Sequence, residues 1–140
     1  MDMKTKVVLK STKALLAARG LEAHGAVQKY IDSEVLRLNA PYMPFQSGQL
    51  IQSGIHGTDG GSGVVRYNAP YARYLYYGKV MVGANGSPWA KKGERKRVTD
   101  KNLTYHGAPK RGSYSFERMK TAHQRAILQG AAKVAGGRYK

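Results

Sequence analysis

The chain has 140 residues, no cysteine and a formal net charge of +16. This length predicts one domain over residues 1–140, and the lack of cysteine excludes disulfides, thiol chemistry and cysteine-based zinc sites. No segment contains the ~18 consecutive apolar residues of a membrane span, and the first residues do not resemble a secretion signal. We therefore expect a soluble protein with no membrane contact.

The positive charge is concentrated in the second half of the chain. Residues 1–70 carry 8 basic and 5 acidic side chains, whereas residues 71–140 carry 16 basic and 3 acidic ones. Such a field attracts polyanions, so nucleic acid is one expected partner. An acidic protein surface is the other, and the charge alone does not decide between them.

The first part of the chain predicts a strand and two helices. Residues 4–10 have a β-branched centre flanked by lysines, which favours an edge strand over a first helical turn. Ser11 or Thr12 is suited to cap a helix over residues 14–18, which Gly20 interrupts or ends. An apolar stripe at steps of four, four and three then predicts a helix limited by Pro41. This stripe consists of Val27, Ile31, Val35 and Leu38.

The middle of the chain contains two copies of Asn-Ala-Pro-Tyr, at residues 39–42 and 68–71. Each copy predicts a boundary between elements, because proline disfavours a helical residue before it and suits the first turn of a new helix. Ser47 is a predicted cap for a helical turn at residues 49–51. Residues 53–57 and 63–67 flank an Asp-Gly-Gly turn, which indicates a β-hairpin.

The second half predicts a short helix at residues 71–77 and a strand at residues 79–82, closed by Gly83. Residues 84–112 form a long connection rich in glycine, proline, lysine and arginine. Connections of this length inside a domain are usually functional or mobile, so we expect a projecting loop. Ser113 or Ser115 begins a last helix that Gly136 and Gly137 end.

The apolar residues of this last helix predict its buried side. That side consists of Phe116, Met119, His123, Ile127, Val134 and the alanines Ala122, Ala126 and Ala131. The expected fold is α+β, with an N-terminal and a C-terminal helix packed on a small, mostly antiparallel sheet. We expect Val64, Val65 and Met81 on the sheet to contact the apolar stripe of residues 27–38.

No catalytic or metal-binding pattern is recognisable. The four histidines are dispersed without the spacing of metal ligands, and the eight acids form no obvious pair for acid–base chemistry. The glycine-rich residues 57–63 lack the lysine and hydroxyl residue that follow in a phosphate-binding loop. We therefore expect a protein that is not an enzyme and has no cofactor.

The remaining chemical signal is a basic segment within the long connection. Such a segment neutralises phosphates, and Trp89 and Tyr105 are suited to stack on bases. The alternative is a solvated loop, or one that docks on an acidic neighbour only after assembly. The candidate contact residues are Lys91, Lys92, Arg95, Lys96, Arg97, Lys101, Lys110 and Arg111.

Three short motifs precede an aromatic start to the last helix, at Ser115-Phe116-Glu117-Arg118. Their residues are Pro41, Tyr42 and Pro44; Ser47, Gly48, Leu50 and Ser53; and Pro70, Tyr71, Ala72, Leu75, Tyr77 and Gly78. In this order and spacing, over roughly residues 27–137, the chain resembles the minor capsid proteins of long-tailed bacteriophages. These are similar to the neck and tail-completion proteins between head and tail. Relatives usually carry an acid and threonine where this chain has Gln46 and Ser47.

The resemblance implies an α+β subunit of a homo-oligomeric ring in the virion, at the head–tail junction and without catalysis. It implies assembly in the host cytoplasm with other connector, capsid or tail proteins. Non-specific contact with packaged DNA would suit a basic lumen or rim. The alternative from another class is a basic nucleic-acid-binding protein of the cell, of ribosomal or regulatory type.

Overall fold

The computed structural model describes residues 11–107 and 109–137. These residues form an α+β fold of helices with a small antiparallel sheet, so the expected class is confirmed. The strand expected at residues 4–10 lies outside the described residues. The elements are α1 (Thr12–Ala18), α2 (Ala26–Asn39), a 3₁₀ turn (Ala40–Tyr42), α3 (Gln49–Gly57), α4 (Ala72–Tyr77), β1 (Lys79–Val82), β2 (Arg97–Asn102) and α5 (Ser115–Val134).

The core lies between α2, α5 and the 3₁₀ turn. Its buried centre is formed by Tyr42, Met119 and Ile127, and Met119 is fully buried. The predicted stripe of α2 packs against this centre through half-buried Ile31, Val35 and Leu38. The helix stripe was therefore predicted correctly, but its partner is α5 rather than a sheet.

The predicted buried side of α5 is only partly confirmed. Met119, Ile127 and Ala131 are buried, and the half-buried His123 lies 3.3 Å from the Tyr42 hydroxyl through its Nε2. These four residues follow one another at steps of four along the side that faces α2. The residues on the flanks of this row are exposed, contrary to the prediction: Phe116, Ala122, Ala126 and Val134.

The predicted β-hairpin over residues 53–67 is wrong. Residues Gln49–Gly57 form α3, and residues 64–69 form neither helix nor strand. Leu50 and Gly54 are buried and stand four residues apart, so a helix places both on one inward face. This tertiary packing overrides the local preference for a strand, and Val64 and Val65 therefore belong to a loop.

The predicted N-terminal cap is observed at α1 but not at α3. The Ser11 hydroxyl accepts the N–H of Ala14 at 3.2 Å, as predicted. At α3 the cap position is Gly48, whose backbone is left-handed with a φ of 80°. A serine cap requires an extended backbone at the residue directly before the helix, so Ser47 does not cap α3.

The predicted strand at residues 79–82 is confirmed as β1, and its partner β2 is a correction to the expected long loop. Met81 lies opposite Val98 in the antiparallel pair, and Lys79 lies opposite Asn102. The Thr99 hydroxyl also donates to the Val80 carbonyl at 2.7 Å. The sequence of β2 is mostly charged and polar, so it has no apolar pattern that would indicate a strand. Its pairing with β1 depends on backbone hydrogen bonds.

Candidate functional site

Seven of the sixteen lysines and arginines of residues 71–140 lie on the hairpin formed by β1, β2 and the connecting residues 83–96, hereafter the basic hairpin. Six of the candidate contact side chains are exposed there, and none forms an ion pair with a carboxylate of the described residues. Their charge is therefore free to meet a partner. They are Lys91, Lys92, Arg95, Lys96, Arg97 and Lys101.

Glu94 organises the connection between the two strands. Its carboxylate accepts the backbone N–H of Lys91 at 2.8 Å and that of Ala84. Because these N–H groups of Lys91 and Ala84 bind the charged form, they lower the pKa of Glu94 from its ordinary value of 4.5. The N–H of Gly83 also donates to the Ser87 carbonyl at 2.7 Å, so the turn is closed by the chain itself.

Trp89 stands on this ordered connection with 82% of its surface exposed. Its backbone N–H donates to the Ser87 hydroxyl at 3.2 Å, while the indole ring points to solvent. It is the only tryptophan of the chain. An exposed indole beside a basic run is a recognisable contact point for a partner.

The other two candidate contact residues, Lys110 and Arg111, contact the 3₁₀ turn and the residues after it. Arg111 Nη1 donates to the carbonyls of Ala40 at 3.0 Å and Met43 at 2.8 Å. Its guanidinium lies 4.9 Å from the centre of the Phe45 ring, and Lys110 Nζ lies 5.5 Å from the Tyr42 ring. Lys110 and Arg111 thus lie apart from the basic hairpin, and Arg111 forms hydrogen bonds with the backbone of its own chain.

Arg118 completes this attachment and was recognised from sequence only as part of a motif. Its guanidinium donates to the carbonyls of Ser113 at 2.9 Å, Lys110 at 2.6 Å and Tyr42 at 3.2 Å. The carbonyls that close a short helical turn have no partner within the turn and need external donors. These donors stand 68 to 76 residues away in sequence from the carbonyls of the turn and of Met43, so no local pattern indicates them.

An apolar groove of about 600 Å³ lies between α2, α4, the loop at residues 63–67 and the start of α5. We call it the main groove. Its walls place aliphatic and aromatic side chains from five segments of the chain around one concave surface. They include Ile31, Val35, Leu50, Val65, Tyr77 and Phe116.

Asn39 lines the main groove and is 2% exposed. Its Nδ2 donates to the Tyr67 hydroxyl at 3.1 Å, and its Oδ1 accepts no hydrogen bond from any described residue. Burial raises the pKa of the Tyr67 hydroxyl, which keeps this group neutral. The groove therefore contains one buried acceptor without a donor, a feature that the sequence did not reveal.

Asp32 fixes the loop that forms one wall of the main groove. Its Oδ2 accepts the N–H groups of Gly61 at 2.8 Å and Gly63 at 3.1 Å, and its Oδ1 accepts from Gln28 Nε2 at 2.8 Å. The carboxylate is 3% exposed and fully engaged. The sequence analysis did not identify this contact. Its two parts are an acid next to the apolar stripe of α2 and, about thirty residues later, a glycine-rich turn whose N–H groups need an acceptor.

A second groove of about 620 Å³ lies on the other side of α3 and α4. Eight residues of the three sequence motifs line the two grooves. Pro44 and Leu50 line both; Ala72 and Tyr77 line the main groove; Ser47, Gly48, Tyr71 and Leu75 line the second.

The remaining motif residues support the backbone around these grooves. Pro41 is in the 3₁₀ turn, and Tyr42 is buried in the core. The Ser53 hydroxyl donates to the Leu50 carbonyl at 2.6 Å, and Pro70 is exposed ahead of α4. Gly78 ends α4 with a left-handed φ of 73°.

Two further kinds of feature are absent from the part of the chain that the structure describes. Residues 11–107 and 109–137 contain no cluster of three or more histidine, aspartate or glutamate side chains placed to hold a metal ion. None of their helices combines the length and apolar character needed to cross a bilayer. The grooves and the basic hairpin are thus the features that point to a function.

Comparisons of the chain with models of protein families, with curated proteins and with solved structures gave no match.

Proposed function

We propose that this chain is a structural protein of the bacteriophage virion, a subunit that forms a ring at the head–tail junction. The observation that carries the proposal is the incomplete burial of apolar side chains in the single chain. Among the described residues seven hydrophobic side chains are buried, while fourteen large ones are exposed. A monomeric domain of this size normally buries more than this, so we infer that neighbouring subunits cover the rest.

The exposed apolar residues occupy distant parts of the subunit. Leu15 and Leu16 belong to α1, which is followed by Arg19; the Arg19 guanidinium binds the Ala135 carbonyl beyond the end of α5. Tyr114 and Phe116 lie at the opposite end of α5. A helix of 20 residues is about 30 Å long, so two separate surfaces are available. Two different surfaces on one subunit suit head-to-tail contacts, which close into rings.

The basic hairpin supports the same proposal. Its sheet has two strands, so each strand presents one edge of backbone donors and acceptors that the other strand does not use. The connecting residues 83–96 carry the exposed Trp89 and several lysines and arginines. Such an extension can reach a neighbouring subunit, another connector, capsid or tail protein, or the DNA that passes through a ring.

The sequence motifs connect these features to the phage proteins. The residues on which the resemblance rests line the two grooves or shape the backbone around them. Such a convergence is what a shared interaction surface would produce. The proposed role is assembly without catalysis.

The experiment is a measurement of the protein content of purified particles. A tagged copy of the chain, expressed during phage growth, should be retained by full particles in a fixed number per particle. Loss of the gene should give filled heads that do not join tails. A chain that is absent from particles and that binds cellular RNA or DNA as a monomer would contradict the proposal and favour the nucleic-acid-binding alternative.

A further inference from the structure

The main groove has the properties of a pocket for one specific kind of side chain. It is apolar, has a volume of about 600 Å³ and is lined by Asn39, whose buried Oδ1 has no donor among the described residues. A buried acceptor without a donor raises the free energy of the folded chain. An occupant that donates one hydrogen bond to it would therefore bind more tightly than one that does not. The occupant should be large, apolar and a donor.

Tryptophan meets these requirements better than the other exposed apolar residues. The indole Nε1–H is a donor and has no acceptor, while the rings fill a large apolar volume. Leucine and valine have no donor, and a tyrosine hydroxyl brings an acceptor of its own. In this chain the requirement selects Trp89, whose side chain is the most exposed of the large hydrophobic residues described.

Trp89 does not occupy the main groove of its own chain. Residues 83–102 contribute nothing to the lining of that groove, and the indole is 82% exposed. Glu94 holds the backbone at Lys91 and Ala84, so the indole is presented on an ordered turn. Presentation on an ordered turn lowers the entropy cost of binding.

The charges of the main groove do not oppose those of the hairpin, since its lining contains one acid and one base, Asp32 and Arg73. Lys91 and Lys92 follow Trp89 closely, and both are exposed. Asp32 lines the main groove, and Glu117 stands next to Phe116 at its edge. Arg73 is the single lysine or arginine among the lining residues, so the field at the groove does not repel the hairpin as a wholly basic surface would.

We infer that Trp89 of one subunit inserts into the main groove of the next subunit, with its indole N–H donating to Asn39 Oδ1. The inference rests on the proposed ring and names the contact that would join its subunits. The inserted residue and the groove are different surfaces of the same chain. The contact is therefore of the head-to-tail kind and can be repeated around a ring.

The single tryptophan provides the test, because tryptophan fluorescence in this chain reports on the surroundings of residue 89 alone. We would record Trp89 emission and acrylamide quenching of the full chain across a dilution series, together with its mass by light scattering. With increasing concentration the mass should rise, the emission should shift to the blue and quenching should fall, all with the same midpoint.

Three variants sharpen this test. Trp89→Ala should weaken association at least about 30-fold, and Trp89→Phe, which keeps an aromatic ring but loses the donor, about tenfold. Ser115→Leu should also weaken association, because Ser115 is buried and lines the groove that the leucine would fill. Asp100→Ala is the control on the same hairpin, since Asp100 is exposed and is not one of the apolar side chains inferred to be covered; it should associate normally.

The outcomes separate this inference from the proposed function. An assembly in which Trp89 stays solvated and Trp89→Ala has no effect would overturn the inference and leave the ring proposal standing. A monomer at all concentrations would overturn the inference, and absence from particles would overturn the ring. An emission shift on addition of DNA, without any dependence on protein concentration, would overturn the inference in favour of nucleic-acid stacking.

Discussion

The ring of Tyr67 lies against the backbone of Gly54 so closely that a Cβ on residue 54 would overlap its carbon atoms. The Tyr67 hydroxyl is held from the other side by Asn39 Nδ2 at 3.1 Å. One tyrosine thus joins α3 to the end of α2 and to the loop that lines the main groove. The absence of a side chain at residue 54 is a condition of this arrangement.

We expect Gly54→Ala to lower the free energy of unfolding by about 1–3 kcal/mol, because the added methyl group must displace the Tyr67 ring. Urea denaturation measures the loss. Gly60→Ala is the matched control, since a Cβ at residue 60 would have no atom within 4 Å. Equal stability of the two variants would contradict the close packing of Tyr67.

We expect Asp32→Ala to release the loop at residues 61–63 from α2, because the N–H groups of Gly61 and Gly63 would lose their charged acceptor. Hydrogen bonds to a charged group contribute about 1.5–3 kcal/mol each, so unfolding should become easier by an amount of this order. Amide hydrogen exchange should accelerate at Gly61 and Gly63 in particular. The exposed Asp59, on the same loop, supplies the control Asp59→Ala, which should leave both amides protected.

We expect Met119→Ala to be more costly than Ile31→Ala. Met119 is fully buried, and its truncation should lower the free energy of unfolding by about 2–5 kcal/mol. Ile31 is half-buried and also lines the main groove, so the loss should lie near the lower end of that range. A loss below about half a kcal/mol for Ile31→Ala in denaturant melts would contradict its packing on the core.

We expect acid to loosen the basic hairpin at a pH below the ordinary titration of glutamate. The folded pKa of Glu94 is lowered, so its contribution to the order of the turn is present above pH 4.5 and is lost as the pH falls through the lowered value. The amides of Lys91 and Ala84 should then exchange faster, and Glu94→Gln should show fast exchange already at neutral pH. Unchanged protection in Glu94→Gln would exclude this role of the carboxylate.

We expect the joint replacement of Lys91, Lys92, Arg95, Lys96 and Arg97 by glutamine to keep the subunit out of the particle. In the proposed ring, which is crowded with subunits, these side chains have more protein than DNA within reach. We therefore expect them to dock on a neighbouring protein. If they instead line a DNA passage, rings and particles should still form but retain or eject DNA abnormally. Particles of normal protein composition that carry the glutamine variant would decide for the passage.

Helices α1, α2, α4 and α5 could be predicted because their signals are local. The apolar stripe of α2, the proline that limits it and the glycine that ends α4 determine those elements within a few residues of sequence. The strand β1 was predicted for the same reason. These elements position both grooves, which several of the motif residues line.

The missed features depend on partners that are distant in sequence. Residues 53–57 and 63–67 flank an Asp-Gly-Gly turn as the strands of a hairpin would, but Gly54 and Tyr67 are in contact because residues 49–57 form α3. Asp32 finds its donors 29 and 31 residues later, and Asn39 finds Tyr67 after 28. Strand β2 has a polar sequence whose pairing partner is fixed by the turn that Glu94 closes. No periodicity within one segment contains this information.

The attachment of arginines to backbone carbonyls changes what the charge of +16 means for a polyanion. Arg111 and Arg118 direct their donors at the chain's own turn, and Arg19 directs them at the end of α5. If DNA contacts the subunit through the basic hairpin, counterion release would follow the six exposed cations there. Because each neutralised phosphate contributes about 0.9 to the slope, log K should then fall with log salt with a slope of about −5 per subunit.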